Sequence, residues 1–195
     1  MTSQIQPSDQ DLWSAIAASD EVAFGRLFDR YARAVYNHAF RLTGSWTLAE
    51  DVTQSTFLVA WRRRGEAAVL VDGLALPWLL VVATNTTRTE WRSARRWLAA
   101  LRRLPPGRGV EADPADDIVA RLDDERQMAD VLAVVRRLPR AEREAVALCL
   151  WSGVPYGEAA AVLGINEGAL RSRVSRARAR LARMVVDGTK REDER

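Results

Sequence analysis

The chain has 195 residues, 48% of them hydrophobic, with 11 Gly, 7 Pro and one Cys; this excludes a disordered chain and a disulfide-stapled scaffold, and favours packed helices over a β-sandwich. The length admits one ordinary domain or two small helical ones with separate cores, and we read two. Lys and Arg total 29 against 26 Asp and Glu, a net charge of +3, so placement matters more than total: Arg62, Arg63 and Arg64, the stretch from Arg88 to Arg103, and that from Arg171 to Arg183 are basic clusters, while residues 111–130 are mainly acidic.

The N-terminus, MTSQIQPSDQDLW, lacks a basic start followed by an apolar core, and no apolar stretch approaches the roughly 20 residues of a membrane span, so a cytoplasmic protein is expected. After a short amphipathic stretch from Asp9 to Ala18, Asp20 is placed to cap a helix. Its apolar residues are Phe24, Leu27, Phe28, Tyr31, Val35, His38 and Leu42, spaced by three and four, and Gly44 ends it. A further helix from about Thr47 to Arg64 would bury Ala49, Val52, Thr56, Phe57, Ala60 and Trp61, with Gly65 as its stop. Its opposite face carries Glu50, Asp51, Gln54 and Ser55.

Residues 65–76 lack a helical period and read as a loop; Pro77 then opens a long helix with Leu79, Val82, Ala83 and Thr86 inside. It continues through Trp91 and Trp97 until Pro105, Pro106, Gly107 and Gly109 break it. From Val110 to Asp117 the chain is acidic and breaker-rich, the mark of a linker. A helix over Ile118 to Leu138 follows, then Pro139, then a helix from Ala141 to Trp151 with Val146, Leu148 and Leu150 apolar, closed by Gly153. Cys149 lies in this apolar run, where it reads as a small buried hydrophobe, and a single cysteine builds no Cys-based zinc site.

The last segment, VPYGEAAAVLGINEGALRSRVSRARARLARM, has a short helix, a glycine turn and a long basic helix, the layout of a helix-turn-helix. Ala159 and Ala160 allow a close helix crossing, Gly164 accepts the positive φ of the turn, and Asn166 caps the second helix. Leu170, Val174, Ala177 and Leu181 fix the buried face. Gly168, Arg171, Ser172, Ser175 and Arg176 therefore face outward at the half that enters a major groove, flanked by Arg173, Arg178, Arg180 and Arg183. Arg suits bidentate contact with guanine, and the flanking arginines suit phosphates. An isolated basic helix would read as a solvated face; the turn glycine, the cap and the small crossing residues favour DNA.

These residues carry a family resemblance. Leu138, Pro139, Arg143, Val146, Gly153, Tyr156, Glu158, Ala160, Leu163, Gly164, Gly168, Ser172, Arg173, Arg176, Ala177 and Arg178 match the pattern of the -35-reading domain of extracytoplasmic-function (ECF) sigma factors, with departures at Pro155, Ala169 and Leu170. Independently, Ala49-Glu50-Asp51-Val52-Thr53-Gln54 with Phe57 and Trp61 resembles the helix by which the same family docks on the coiled coil of the polymerase's largest subunit. Pro77-Trp78-Leu79 through Asn85 resembles the segment leading into its -10-capturing helix, with Thr84 and Thr86 departing from it. The resemblance covers about residues 20–97 and 125–184.

It implies an all-α fold of two small helical domains joined by a flexible linker: residues 1–104 for core binding and -10 recognition, linker 105–124, and residues 125–195 as a -35-reading helix-turn-helix. The implied core-binding residues are Asp51, Gln54, Glu50 and Ser55. For the -10 element they are Asn85, Arg88, Arg92 and Arg95, with residues 65–76 as a base pocket. For the -35 element they are Gly168, Arg171, Ser172, Arg173, Ser175 and Arg176. Trp78 and Trp91 read as core before stacking platforms. The implied partners are RNA polymerase core (largest-subunit coiled coil and flap), promoter DNA and an anti-sigma factor, with nucleoid association in the holoenzyme, no membrane insertion, and no cofactor or metal. The acidic connector fits either nucleic-acid mimicry in a basic channel or plain linker solubility.

The main alternative is a conventional helix-turn-helix repressor or activator, which gives no reason for the Asp51 and Gln54 helix. An enzyme fits poorly, because the lone His38 falls in a buried stripe and no Ser/His/Asp, metal or phosphate-loop pattern occurs.

Overall fold

The computed structural model describes the backbone of residues 6–66, 70, 73–101 and 116–193, and the side chains of residues 6–66, 70, 73–88 and 123–184. Among them are eight helices and no extended strand: α1 (Asp9–Ala17), α2 (Glu21–Thr43), α3 (Trp46–Arg62), α4 (Leu76–Leu101), α5 (Asp116–Val135), α6 (Arg140–Ala145), α7 (Tyr156–Leu163) and α8 (Glu167–Asp193). A π-helical segment, Val146–Trp151, continues α6. Residues 105–115 of the expected linker lie outside the described residues, and the stretch 116–124 expected within it is the start of α5.

Local chemistry sets most helix ends. Ser8 and Asp11 cap α1 reciprocally, each side chain accepting from the other's backbone N–H at 3.1 and 3.2 Å. Asp20 accepts from the N–H groups of Val22 and Ala23 at the start of α2, a cap worth about 1 kcal/mol. Gly44 closes α2 at φ +68°, and a Cβ there would stand 2.9 Å from the Leu132 side chain. The position therefore demands both a left-handed backbone and room for α5. Gly65 does not take the stopping role expected of it: α3 ends at Arg62, with Arg63 as its cap and no positive φ at Gly65.

Helices α1 to α4 pack around Leu12, Ile16, Leu27, Val35, Val52 and Leu79. One buried carboxylate knots them. Asp9 Oδ1 pairs with Arg30 at 2.5 Å, while Oδ2 accepts from the Tyr31 hydroxyl at 2.5 Å and from the Ala75 N–H at 2.8 Å. This joins α1, the middle of α2 and the entry to α4. Burial, and then the Asp9 carboxylate beside it, push the Tyr31 phenol well above its ordinary range.

The inner face of α4 is wider than the sequence pattern suggests. Leu79, Val82 and Ala83 are buried as expected, but so are Leu80, Thr84 and Thr87, while Thr86 is only half-buried. The reason is that α4 has neighbours on two sides, α2 and α3 on one and α7 on the other. Phe28 departs the other way: it is 40% exposed, resting against the Phe57 ring at 4.7 Å with its remaining surface in solvent. Trp61 and Cys149 are half-buried rather than buried, and burial raises the Cys149 thiol pKa. Trp78 is core, edge-on to Trp13 at 5.9 Å, whereas the Trp91 and Trp97 side chains lie outside the described residues.

Helices α5 to α8 dock on this group chiefly at α2 and α4. At the contact His38 is fully buried, its Nδ1 2.6 Å from Ser152 Oγ and its Nε2 2.9 Å from Thr84 Oγ1. The Thr84 hydroxyl donates to the Leu80 carbonyl, so it is left to accept from Nε2–H, and Nδ1 accepts from Ser152. The ring is thus neutral, in one tautomer. Around it Arg41 donates to the Trp151 carbonyl, Glu125 accepts from the Trp46 N–H at 2.8 Å, and Arg88 pairs with Glu144.

Removing the Asp9 carboxylate leaves a buried guanidinium, phenol and backbone N–H without their acceptor; Asp9→Ala is expected to cost about 3 kcal/mol in urea denaturation. Burial first, and then Arg41, depress the His38 pKa from 6.5 to about 3. The unfolded chain then binds the proton that the fold refuses. Stability should fall as pH drops below 6.5 toward 3, by up to about 1.4 kcal/mol per pH unit. His38→Gln should flatten that slope between pH 6.5 and 4.5, and an unchanged slope would remove His38 as its source.

Candidate nucleic-acid interface

The helix-turn-helix is built from local signals. Pro155 sets the entry to α7, and Gly164 ends it at φ +65°, where its N–H reaches the Ala160 and Ala161 carbonyls. Asn166 Oδ1 accepts from the Ala169 N–H at 2.7 Å and starts α8. Ala159 and Ala160 are buried, as are Leu170, Val174 and Ala177 of the expected inner face of α8, while Leu181, the fourth residue of that face, is half-buried. Gly168, Arg171, Ser172, Ser175 and Arg176 are exposed, and Arg173 is half-buried.

The arginines of this face are not loose. Arg171 donates through Nε and Nη2 to Glu167 Oε1 at 2.9 and 2.5 Å, and its guanidinium lies over the Tyr156 ring at 4.8 Å. Arg176 and Arg180 both approach Glu142 of α6, with Nε–O distances of 3.6 and 3.2 Å. The Glu142 side chain is only 6% exposed, whereas the two arginines are 58% and 46% exposed. A buried carboxylate thus faces two exposed cations as ion pairs, while its Oε2 has no hydrogen-bond partner among the described residues. Sequence reading missed Glu142, because nothing local in LPRAER marks which of its charges turns inward.

On α3, Glu50, Asp51 and Gln54 are exposed and Ser55 is half-buried, while Ala49, Val52, Thr53, Thr56, Phe57 and Ala60 face the core. The hydroxyls of Thr53 and Thr56 donate to carbonyls four residues back, which lets polar side chains sit inside. Leu58, on the stripe that continues Asp51 and Gln54, is 54% exposed. Sequence reading did not single it out.

On α4, Asn85 is exposed and Arg88 half-buried; Arg88 Nη1 donates to Asn85 Oδ1 at 2.9 Å and also pairs with Glu144. Asn85 lines a narrow cleft shared with Arg140, Leu148 and Leu163. The C-terminal helices therefore overhang this part of α4. The Arg92 and Arg95 side chains, and residues 67–69 and 71–72 of the expected pocket loop, lie outside the described residues.

Residues 27–98 match the family Sigma-70 region 2, and residues 128–181 match Sigma-70, region 4. The chain is 31% identical over 182 residues to RNA polymerase sigma factor NccH of Alcaligenes xylosoxydans xylosoxydans, covering 94% of that protein and 91% of this one. It is 32% identical over 181 residues to ECF RNA polymerase sigma factor SigM of Mycobacterium tuberculosis, covering 85% of it and 91% of this chain. The chain belongs to the ECF sigma factors. It spans 63% of another relative, ECF RNA polymerase sigma factor BldN of Streptomyces coelicolor, at 34% identity over 87% of its own length. A solved structure of CnrH in complex with the cytosolic domain of CnrY is similar at TM-score 0.67 and 27% identity, over 93% of this sigma factor and 99% of that chain. As a sigma factor the protein acts in directing RNA polymerase to promoters for transcription initiation. Among the described residues no helix is long and apolar enough to cross a membrane, and no group of His, Cys, Asp and Glu could hold a metal ion.

Gly164 is the joint of this motif. Gly164→Ala should cost about 1–2 kcal/mol for the left-handed backbone, read as a lowered denaturation midpoint, with DNA affinity weakened as the angle between α7 and α8 relaxes.

Proposed function

We propose that the sigma factor divides its work between two units: residues 1–104, which hold polymerase core and the unpaired -10 strand, and residues 125–195, which read the -35 duplex, with 105–124 between them. Asp51, Gln54, Glu50 and Ser55 are the core-binding set, docking on the largest subunit's coiled coil, and the exposed Leu58 extends it. An apolar side chain in a polar stripe is the kind of anchor that interfaces use. The second unit contacts the flap. Asn85, Arg88, Arg92 and Arg95 engage the -10 element. Gly168, Arg171, Ser172, Arg173, Ser175 and Arg176 face the -35 groove.

The observation that carries this reading is one chain with two separately exposed polar faces, on α3 and at the N-terminal half of α8, in a protein of sigma-factor ancestry. A conventional repressor has no use for the first. The protein itself performs no chemistry. It is placed in the cytoplasm, at the nucleoid when in holoenzyme. An anti-sigma partner fits, since a similar solved structure (TM-score 0.56, 26% identity) is sigma factor RpoE in complex with the anti-sigma factor NepR from Bartonella quintana.

Purified protein plus core should yield run-off transcripts from a promoter library that neither gives alone. Within that assay Arg176→Ala should lose about 1–3 kcal/mol at particular -35 positions. Asp51→Ala or Leu58→Ala should weaken core association roughly tenfold without altering sequence preference. If both classes of variant lose the same function equally, the division of labour is wrong.

A further inference from the structure

Where α6 meets α8, Leu138, Val146 and Ala177 belong to a small apolar cluster. Glu142 of α6 is buried too, and its carboxylate faces α8: Oε1 lies 3.6 Å from Arg176 Nε and Oε2 lies 3.2 Å from Arg180 Nε. Oε2 has no hydrogen-bond partner among the described residues. A buried carboxylate short of hydrogen bonds costs stability, and an apolar side chain of similar volume would serve packing better. What Glu142 supplies is charge, from a place where water screens it little. The two arginines it faces are four residues apart and project from one side of α8. A free arginine samples many rotamers, and fixing it at a base edge loses that freedom. A carboxylate held in the core narrows the set before DNA arrives. Narrowing favours a bidentate base contact, which demands one geometry, over a phosphate contact, which tolerates many. The same carboxylate offsets one of the two cations and so weakens attraction to DNA of any sequence.

We propose that Glu142 is a positioning residue for promoter readout: it lowers the attraction of α8 for DNA in general while sharpening discrimination at the base that Arg176 meets. This rests on the assignment of α8 to the -35 groove. Arg171 differs, because its partner Glu167 is exposed and lies four residues away on the same helix. Glu142 belongs to another helix, so its effect depends on how α6 seats against α8.

Holoenzyme reconstituted from core and the full chain, given a promoter library randomised over the -35 element, tests this by sequencing of the transcribed templates. Arg176→Ala should lose both output and preference at particular positions. Glu142→Gln keeps the shape and removes the charge; it should flatten preference at those same positions by roughly threefold or more, while output from non-preferred sequences holds or rises. Glu142→Asp retains the charge at shorter reach and should fall between Glu142→Gln and the parent. Added to Arg176→Ala, Glu142→Gln should change preference no further. Additional flattening in that double variant would mean that Glu142 acts through the fold as a whole, and would overturn the proposal. So would an equal loss of output across the library with preferences kept, or a Glu142→Gln holoenzyme that matches the parent where Arg176→Ala does not. If Arg176→Ala leaves the preferences intact, the -35 assignment itself fails and the proposal falls with it.

Discussion

The docked arrangement turns on the C-terminal end of α2. His38 is sealed there with both ring nitrogens committed, one to Thr84 of the N-terminal helices and one to Ser152 of the C-terminal group. A buried imidazole without partners would be costly, and here each group of helices supplies one of them. Three residues on, Arg41 reaches the Trp151 carbonyl, and at the next turn Gly44 clears the space that Leu132 enters. One helix end thus presents, in sequence order, an acceptor and donor pair, a cation and a gap. The long-range polar links that join the two halves, Trp46 to Glu125 and Arg88 to Glu144, gather around it. Contacts of this kind depend on geometry more than on area, so they hold a specific pose without demanding a permanent one.

A second regularity concerns how the protein stores its positive charge. Three of the arginines assigned to promoter contact meet carboxylates in the free chain: Arg171 at Glu167, Arg176 at Glu142, Arg88 at Glu144. Exposed pairs add little stability, so their value lies in restricting long side chains before DNA arrives. A guanidinium held by one edge still offers the other to a base or phosphate. Glu142 does this from a buried position for two arginines one turn apart, which ties the angle of α6 to the outer face of α8. In the reading proposed above, α8 does not present its cations alone.

What the sequence revealed follows the range of the interactions. Gly164 adopts the positive φ expected of it, Gly44 and Gly153 follow helix ends as expected and take a positive φ too, and Asp20 and Asn166 cap as expected, because these effects act over three or four residues, although Gly65 did not follow the pattern. The inner face of α8 was equally legible, since Leu170, Val174 and Ala177 serve a single buried side. The pattern misled where a helix has two sets of neighbours: α4 buries Thr84 and Thr87 as well as Leu79 and Ala83, and no single stripe describes it. It was silent on partnerships across the chain. Asp9 reads as an ordinary first-turn acid, yet it binds residues 21, 22 and 66 positions away. The His38 ring was correctly placed inside, but its bond to Ser152, 114 positions away, has no local signature.

The π-helical segment explains how that distant bond is made. From Val146 to Trp151 the backbone winds more widely than an α-helix, and the Ser152 N–H closes on Ala147, five residues back. Ala145, at the end of α6, and Val146, Ala147 and Leu148 of this segment form a continuous buried run, with Ala145 and Leu148 in one apolar cluster and Val146 in another, which an α-helix facing one neighbour would not do. The wide turn also delays the exit of the chain by one residue. In an α-helix each residue turns the direction of presentation by about 100°, so regular winding would swing the Trp151 carbonyl and the Ser152 hydroxyl away from Arg41 and His38. One extra residue in a turn therefore sets the register between the two halves, and the apolar run VALCLW that looks like plain core is also what aims the polar contacts at α2.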